Sequence, residues 1–202
     1  MISFALTTHN EGQYVHNIMN QISMGMKSGD ELVVLDDYSS DQLTLDALDL
    51  YPCLVSSRKF DGDFSAHKNH LNSLCTNPWI FQIDADEMLA EDLLGRLHTL
   101  LDANPHTDLI FVPRVNTVDG LTEEDVTNFR WQVNEKGWVM WPDFQGRIYK
   151  NQANIYWQGK VHERIVGAKT WAFLPQEEDW AIIHVKDIER QRVQNELYAT
   201  LT

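Results

Sequence analysis

Five short apolar runs, at 2–7, 31–35, 53–56, 79–83 and 109–112, alternate with segments of helical period across the first 115 residues. The runs at 2–7 and 31–35 show little apolar–polar alternation, as strands buried on both faces do. Between the runs, Tyr14, Val15, Ile18, Met19 and Ile22 recur at helical spacing, and so do Leu93, Leu94, Leu97, Leu100 and Leu101. Leu43, Ala47, Leu48 and Leu50 mark a shorter helix, and Ala66, Leu71 and Leu74 give 64–75 an apolar side. Strands alternating with helices predict a mostly parallel α/β sheet covered on both faces. In such sheets ligands bind beyond the carboxyl ends of the strands. Three polar clusters, 7–10, 36–41 and 84–86, fall at that edge.

The run WIFQIDADEM at 79–88 is the most chemically pointed of these. An apolar strand ends in Asp84 and Asp86, one small residue apart, with Glu87 beside them. Three carboxylates at one strand mouth repel each other unless a cation sits among them. Hard divalent ions prefer oxygen ligands and bridge to phosphate oxygens. The motif therefore suggests metal-assisted handling of a diphosphate, set against the plainer reading of a solvated strand end.

Beyond residue 115 the pattern changes. Residues 116–144 lack periodicity and hold Trp131, Trp138 and Trp141. Short runs at 148–149, 155–166 and 180–185 predict a smaller antiparallel portion, and 187–201 a last helix with Ile188, Val193, Leu197 and Leu201 on one side. The expected division is a single domain over 1–202, with a regular α/β half at 1–115 and a less regular half at 116–202.

Sixteen basic against 30 acidic residues give a net charge of −14. That disfavours a broad nucleic-acid-binding surface. No apolar run reaches the roughly 18 residues that span a bilayer, and the start of the chain has no basic n-region. Cys53 and Cys75 are too few for a disulfide framework or a zinc site. A reduced, cytoplasmic protein is expected, without an appended membrane segment or second domain.

The blocks TTHNE at 7–11, VVLDDYSSD at 33–41, FSAHKNHL at 64–71, WIFQIDADE at 79–87 and GRIYKNQANIYWQGKVHERI at 146–165 together resemble the glycosyltransferase family 2 enzymes of GT-A (Rossmann-like) fold. The last block resembles small bacterial members related to lipopolysaccharide-core transferases. His67-Lys68-Asn69 departs from the Ala-Arg-Asn usual there; lysine keeps the charge but loses the bidentate fork.

The resemblance implies a metal-dependent, inverting transfer from a nucleotide sugar, most simply a UDP-sugar, to an acceptor hydroxyl, with Mn²⁺ or Mg²⁺. It implies that Thr7, His9 and Asn10 border the nucleoside, and that Asp36 or Asp37 accepts hydrogen bonds from base or ribose. The plainer role for that acidic pair is a turn, with Asp41 capping the next helix. The resemblance makes 1–115 the nucleotide-sugar-binding half and 116–202 the acceptor and catalytic half. Lys68 would face base or diphosphate, and Arg147 would contact phosphate or simply pair with one of the many acids. Asp86 is expected as metal ligand and Asp84 at ribose or metal, with His162 and His184 as further ligands or phosphate contacts. Glu163 is the first choice for general base and Asp143 the second. The acceptor, whether glycan, lipid-linked, protein or small molecule, stays open. Two other functions compete. A sugar nucleotidyltransferase would carry a Gly-rich, basic loop where this chain has THNEG. A non-catalytic nucleotide- or sugar-binding module would have no need to keep both Asp84-Ala85-Asp86 and Val161-His162-Glu163.

Overall fold

Side chains along a strand point alternately to opposite faces, and here the alternation builds two cores. The computed structural model describes residues 1–201, with the side chains of 194 and 197–201 outside the described set. The first half runs β1 (Ile2–Thr8), α1 (Gln13–Gly25), β2 (Glu31–Asp36), α2 (Gln42–Leu50), β3 (Leu54–Ser57), α3 (Phe64–Leu74), β4 (Trp79–Asp84), β5 (Glu87–Leu89), α4 (Glu91–Ala103) and β6 (Leu109–Val112). On one face Ile2, Phe4, Leu6, Leu32, Val34, Phe81 and Ile83 pack against Val15, Ile18, Met19 and Ile22 of α1 and Leu93, Leu94 and Leu97 of α4. On the other, Ala5, Val33, Leu35 and Ile80 meet Leu71 of α3 and Cys75. Gly25 lets α1 and α4 approach closely: a Cβ there would lie 2.4 Å from Leu94 Cδ2.

The second half follows as β7 (Arg114–Asp119), α5 (Glu123–Phe129), β8 (Gln145–Lys150), β9 (Tyr156–Gln158), β10 (Arg164–Val166), β11 (Trp171–Phe173), β12 (Ile182–Asp187) and α6 (Ile188–Leu201). The main sheet has seven strands in the order β11-β6-β8-β4-β1-β2-β3. β8 is antiparallel to both of its neighbours, β4 and β6. Its Ile148 faces the first core and its Tyr149 the second. The mostly parallel α/β expectation is met, with helices on both faces.

The second half departs from its expected pairing in detail. β9 and β10 form an antiparallel pair. β12, however, lies parallel to β7 and antiparallel to β5, making a separate three-stranded sheet. β11 joins the main sheet parallel to β6. Residues 116–144 contain the rest of β7 and α5, whose N-terminus is closed by a Thr122–Asp125 capping box. Such boxes satisfy two end donors reciprocally. On α6, Ile188 is buried, but Val193 is exposed and Gln191 takes the inward place. Leu197 and Leu201 lie outside the described side chains.

Candidate active site

The parallel register brings the polar strand ends to one level. Thr8 of β1 stands beside Asp36 of β2, and Thr7 beside Asp84 of β4. The loops that follow are held by their own side chains. Asn10 takes a left-handed φ of 53°. Its Oδ1 accepts from the backbone N–H of Ser40 at 2.7 Å and Asp41 at 3.1 Å. Asp36 accepts from Ser39 N–H, Asp37 Oδ1 from Phe60 N–H at 2.8 Å, and His9 Nδ1 lies 2.7 Å from Asp37 O. Asp41 caps α2 through Thr44 N–H at 2.9 Å. Asp36 and Asp37 thus shape the turn and also line its rim. Among the described residues six non-glycine residues have positive φ; Asn10 and Tyr38 sit in these loops, Asp143 just before β8 and His162 between β9 and β10. Strained backbone of this kind gathers at binding sites.

A chain of ion pairs runs below this rim. Lys68, buried on α3, donates to Glu163 Oε1 at 2.7 Å and lies 3.6 Å from Asp84 Oδ1. It also stands 4.6 Å over the Trp157 ring. Asn69 fixes that ring's strand: it donates to Trp157 O and accepts from Trp157 N–H, each at 2.8 Å. Arg147, 3% exposed, donates through Nη2 to Asp84 Oδ2 at 2.6 Å and to Glu87 Oε1 at 2.7 Å. Glu87 is fully buried and also accepts from Arg114 at 3.1 Å. Arg114 continues to Asp143 with two bonds to Oδ2, at 2.9 and 2.7 Å. Mutual repulsion of Asp84, Asp86 and Glu87 is therefore relieved largely by arginine and lysine. Glu87 turns inward, so the acids do not form one cluster at the strand mouth.

Asp86 differs from its neighbours. Its Oδ2 lies 3.3 Å from Nε2 of His184 on β12 and 3.7 Å from Arg190 on α6. His184 Nε2 is buried and without a hydrogen-bond partner among the described residues. A carboxylate oxygen and an unsatisfied imidazole nitrogen at that spacing suit two adjacent positions on a divalent ion that accepts mixed oxygen and nitrogen ligands, such as Mn²⁺. Among the described residues no three His, Cys, Asp or Glu side chains converge on one point. A cation here would draw its remaining ligands from a substrate or water. Arg190 in turn grips Glu11 with two bonds, at 2.6 and 2.7 Å, tying the last helix to the loop after β1.

Lys68, Asp84, Arg147 and Glu163 thus form one group, and Asp86 and His184 a second, linked to Asp143 through Asn116. His162 is exposed in the loop that carries Glu163. Trp131, Trp138 and Trp141 are half-buried and belong to neither core. Glu11, Arg114, Asn116 and Arg190 were given no site role by the sequence. The signal for two of them was slight: only Arg114-Val115-Asn116 alternates before Thr117 breaks the strand period.

The pairing has a pH signature. Burial alone would raise the Asp84 carboxyl, but Arg147 and Lys68 outweigh it and hold it well below the usual carboxylate range. Burial of Asp143 is likewise outweighed by Arg114, Asn116 and Gln145. The folded values lie below the unfolded one of about 3.9. These pairs therefore stabilise the fold fully above that pH, and the contribution is lost as pH falls through the folded values. Thermal midpoints measured against pH should be level above about pH 5 and drop below about pH 4. A midpoint unchanged on acidification through that range would contradict the pairing.

Residues 3–170 match the profile described as Glycosyl transferase family 2. The glycosyltransferase SunS, derived from prophage SPbeta of Bacillus subtilis, is 27% identical over 169 residues, covering 80% of this chain and 34% of its own length. A TPR repeat-containing protein of Synechococcus elongatus is 29% identical over 153 residues, covering 76% of this chain and 33% of its own. The chain spans about a third of the length of these curated relatives. Among solved structures, S. aureus TarS 1–349 in complex with UDP-GlcNAc superposes with a TM-score of 0.65 at 17% identity, over 92% of this chain and 58% of that one. Its complex with UDP gives 0.64 at 15% identity, over 99% and 64%. The fold is that of these GT-A structures, and with the profile running through the β1, β2 and β4 strand ends and the β9–β10 loop, the chain belongs to glycosyl transferase family 2.

Proposed function

We propose that this domain transfers a sugar, with inversion, from a nucleoside-diphosphate sugar to an acceptor hydroxyl, aided by a divalent cation. The observation that carries the reading is the pair of carboxylates one residue apart beyond β4, Asp84 held by Lys68 and Arg147 and Asp86 beside His184. The TarS complexes with UDP and UDP-GlcNAc make a UDP-sugar the first donor to test. The rim formed by Thr7, His9, Asn10, Asp36 and Asp37 would take the nucleoside, with carboxylates accepting from ribose or base. Asp84, already held by Arg147, presents a fixed carboxylate at the ribose end.

Asp86 and His184 would hold the cation, which when bound supplies positive charge to the leaving diphosphate. Lys68 sits within reach of the same charge. Glu163 would take the proton of the acceptor hydroxyl as its oxygen bonds to the anomeric carbon. The bond from that carbon to the diphosphate breaks on the opposite face, and its electron pair leaves with the nucleotide. Lys68 holds Glu163 oriented before substrates arrive. Asp143 is less suited to the base role, because its two oxygens already accept from Arg114, Asn116 and Gln145. The half-buried tryptophans of 116–144 lie on the acceptor side of this reading, where aromatic faces can cover apolar sugar faces.

Calorimetry of UDP binding with Mn²⁺ and then with EDTA tests the proposal. Binding should require the metal, and Asp86→Asn should weaken Mn²⁺-dependent binding by at least about 10-fold while the thermal midpoint is retained. Equal UDP affinity in Mn²⁺ and EDTA would remove the cation from the reading.

A further inference from the structure

Asn116 of β7 and His184 of β12 are register partners in the three-stranded sheet. The Asn116 side chain is buried, and its nitrogen donates to Asp143 Oδ2 at 2.7 Å and to Val139 O at 3.3 Å. Turning the amide over would set its oxygen against those two acceptors, so the orientation is fixed by its partners. The oxygen then faces Nδ1 of His184 at 3.1 Å. A carbonyl oxygen can only accept, so Nδ1 must carry hydrogen. A neutral imidazole has one N–H, which leaves a lone pair on Nε2. That nitrogen is buried, makes no aligned hydrogen bond among the described residues, and lies 3.3 Å from Asp86 Oδ2, which would attract a second N–H in the protonated ring.

Asp143 anchors the arrangement. Arg114 donates twice to its Oδ2, Asn116 donates once to the same oxygen, and Gln145 donates to Oδ1 at 2.8 Å. Four donors fix the carboxylate, and the carboxylate fixes the amide.

We propose that Asp143 and Asn116 are positioning residues that hold His184 as its Nδ1–H tautomer, so that Nε2 presents a lone pair beside Asp86. The inference rests on the cation reading above, which gives that lone pair its use. Histidine ligands are commonly oriented in this way through the other ring nitrogen, and loss of such a partner typically weakens metal binding about 10–100-fold.

The test uses the full chain. Side-chain nitrogen NMR, with the His184 signal identified by its absence in His184→Gln, reports the tautomer without any metal. Calorimetry with Mn²⁺ alone reports affinity. His184 should be the Nδ1–H form in the wild type and lose that preference in Asn116→Leu. The Kd for Mn²⁺ should rise about 10–100-fold in Asn116→Leu and in Asp143→Leu, with kcat recovering at saturating Mn²⁺. An Nε2–H form in the wild type overturns the proposal whether or not either variant folds. So does unchanged Mn²⁺ affinity in a folded Asn116→Leu. A kcat loss of about 10²–10⁴-fold in Asp143→Leu that saturating Mn²⁺ does not restore would return Asp143 to the base role. A wild type that binds no Mn²⁺ yet keeps the Nδ1–H form would sink the cation reading and support the tautomer assignment, so the two failures are distinguishable.

Discussion

Glu163→Gln is expected to lower kcat by about 10²–10⁴-fold while leaving donor affinity nearly unchanged. The amide is close to the carboxylate in shape and still accepts from Lys68, so the 2.7 Å contact survives in weakened form. It cannot take a proton from the acceptor. Glu163 stands 14% exposed at the end of the β9–β10 loop, against an α3 lysine that also reaches toward Asp84. The far end of that hairpin is closely packed: a Cβ on Gly167, just after β10, would overlap Asn154 O, just before β9. Steady-state kinetics with separate titration of donor and acceptor check the expectation. A loss confined to donor KM would make Glu163 a binding residue, and the base would have to be sought elsewhere.

Arg147→Met should be the most destabilising single change at the site, by about 3–5 kcal/mol. Methionine fills much of the volume but leaves Glu87 fully buried with Arg114 alone, and Asp84 with Lys68 at 3.6 Å. For a chain of this size that corresponds to a thermal midpoint about 6–20 °C lower. The wild-type arginine is itself under-satisfied, with Nε and Nη1 buried and lacking hydrogen-bond partners. Its value lies in charge balance rather than in a full set of hydrogen bonds. The double variant Arg147→Met/Glu87→Met should therefore recover much of the loss, since it removes the stranded carboxylate along with its partner. Denaturant unfolding of the two variants decides this. If the double variant is no more stable than the single one, the cost lies in packing and not in an uncompensated charge.

Much of this was legible in the chain. The strand ends Thr7–Asn10, Asp36–Asp41 and Asp84–Asp86 were readable because a two-sided buried strand writes a continuous apolar run, and polarity returns where the strand leaves the core. β5, β7 and β11 were not read as strands. Two of them have three residues each, too few for a period, and β7, RVNTVD, breaks its alternation at Thr117. The parallel pairing of β12 with β7 depends on a long crossover that no local pattern records. Lys68, Arg147 and Glu163 were picked out by motif, but their mutual pairing was not. Ion pairs between residues 63 to 95 positions apart leave no trace in spacing. Glu87 shows the opposite error: it reads as a third acid at the metal, whereas the turn at 85–86 sends it into the protein.

The antiparallel β8, set between β4 and β6, also bears on how the chain is made. The centre of the main sheet is completed by residues 145–150, synthesised well after both of the strands they join. At about 5–20 residues per second, the apolar edge of β4 waits roughly 3–13 s for its partner to be translated. Until then an unpaired strand edge is open to a wrong neighbour. A fragment stopped at the end of β6 would keep that edge exposed permanently. The parts of this protein before and after residue 115 are thus not separable modules that could be expressed or exchanged there; the sheet of the first is closed by the second.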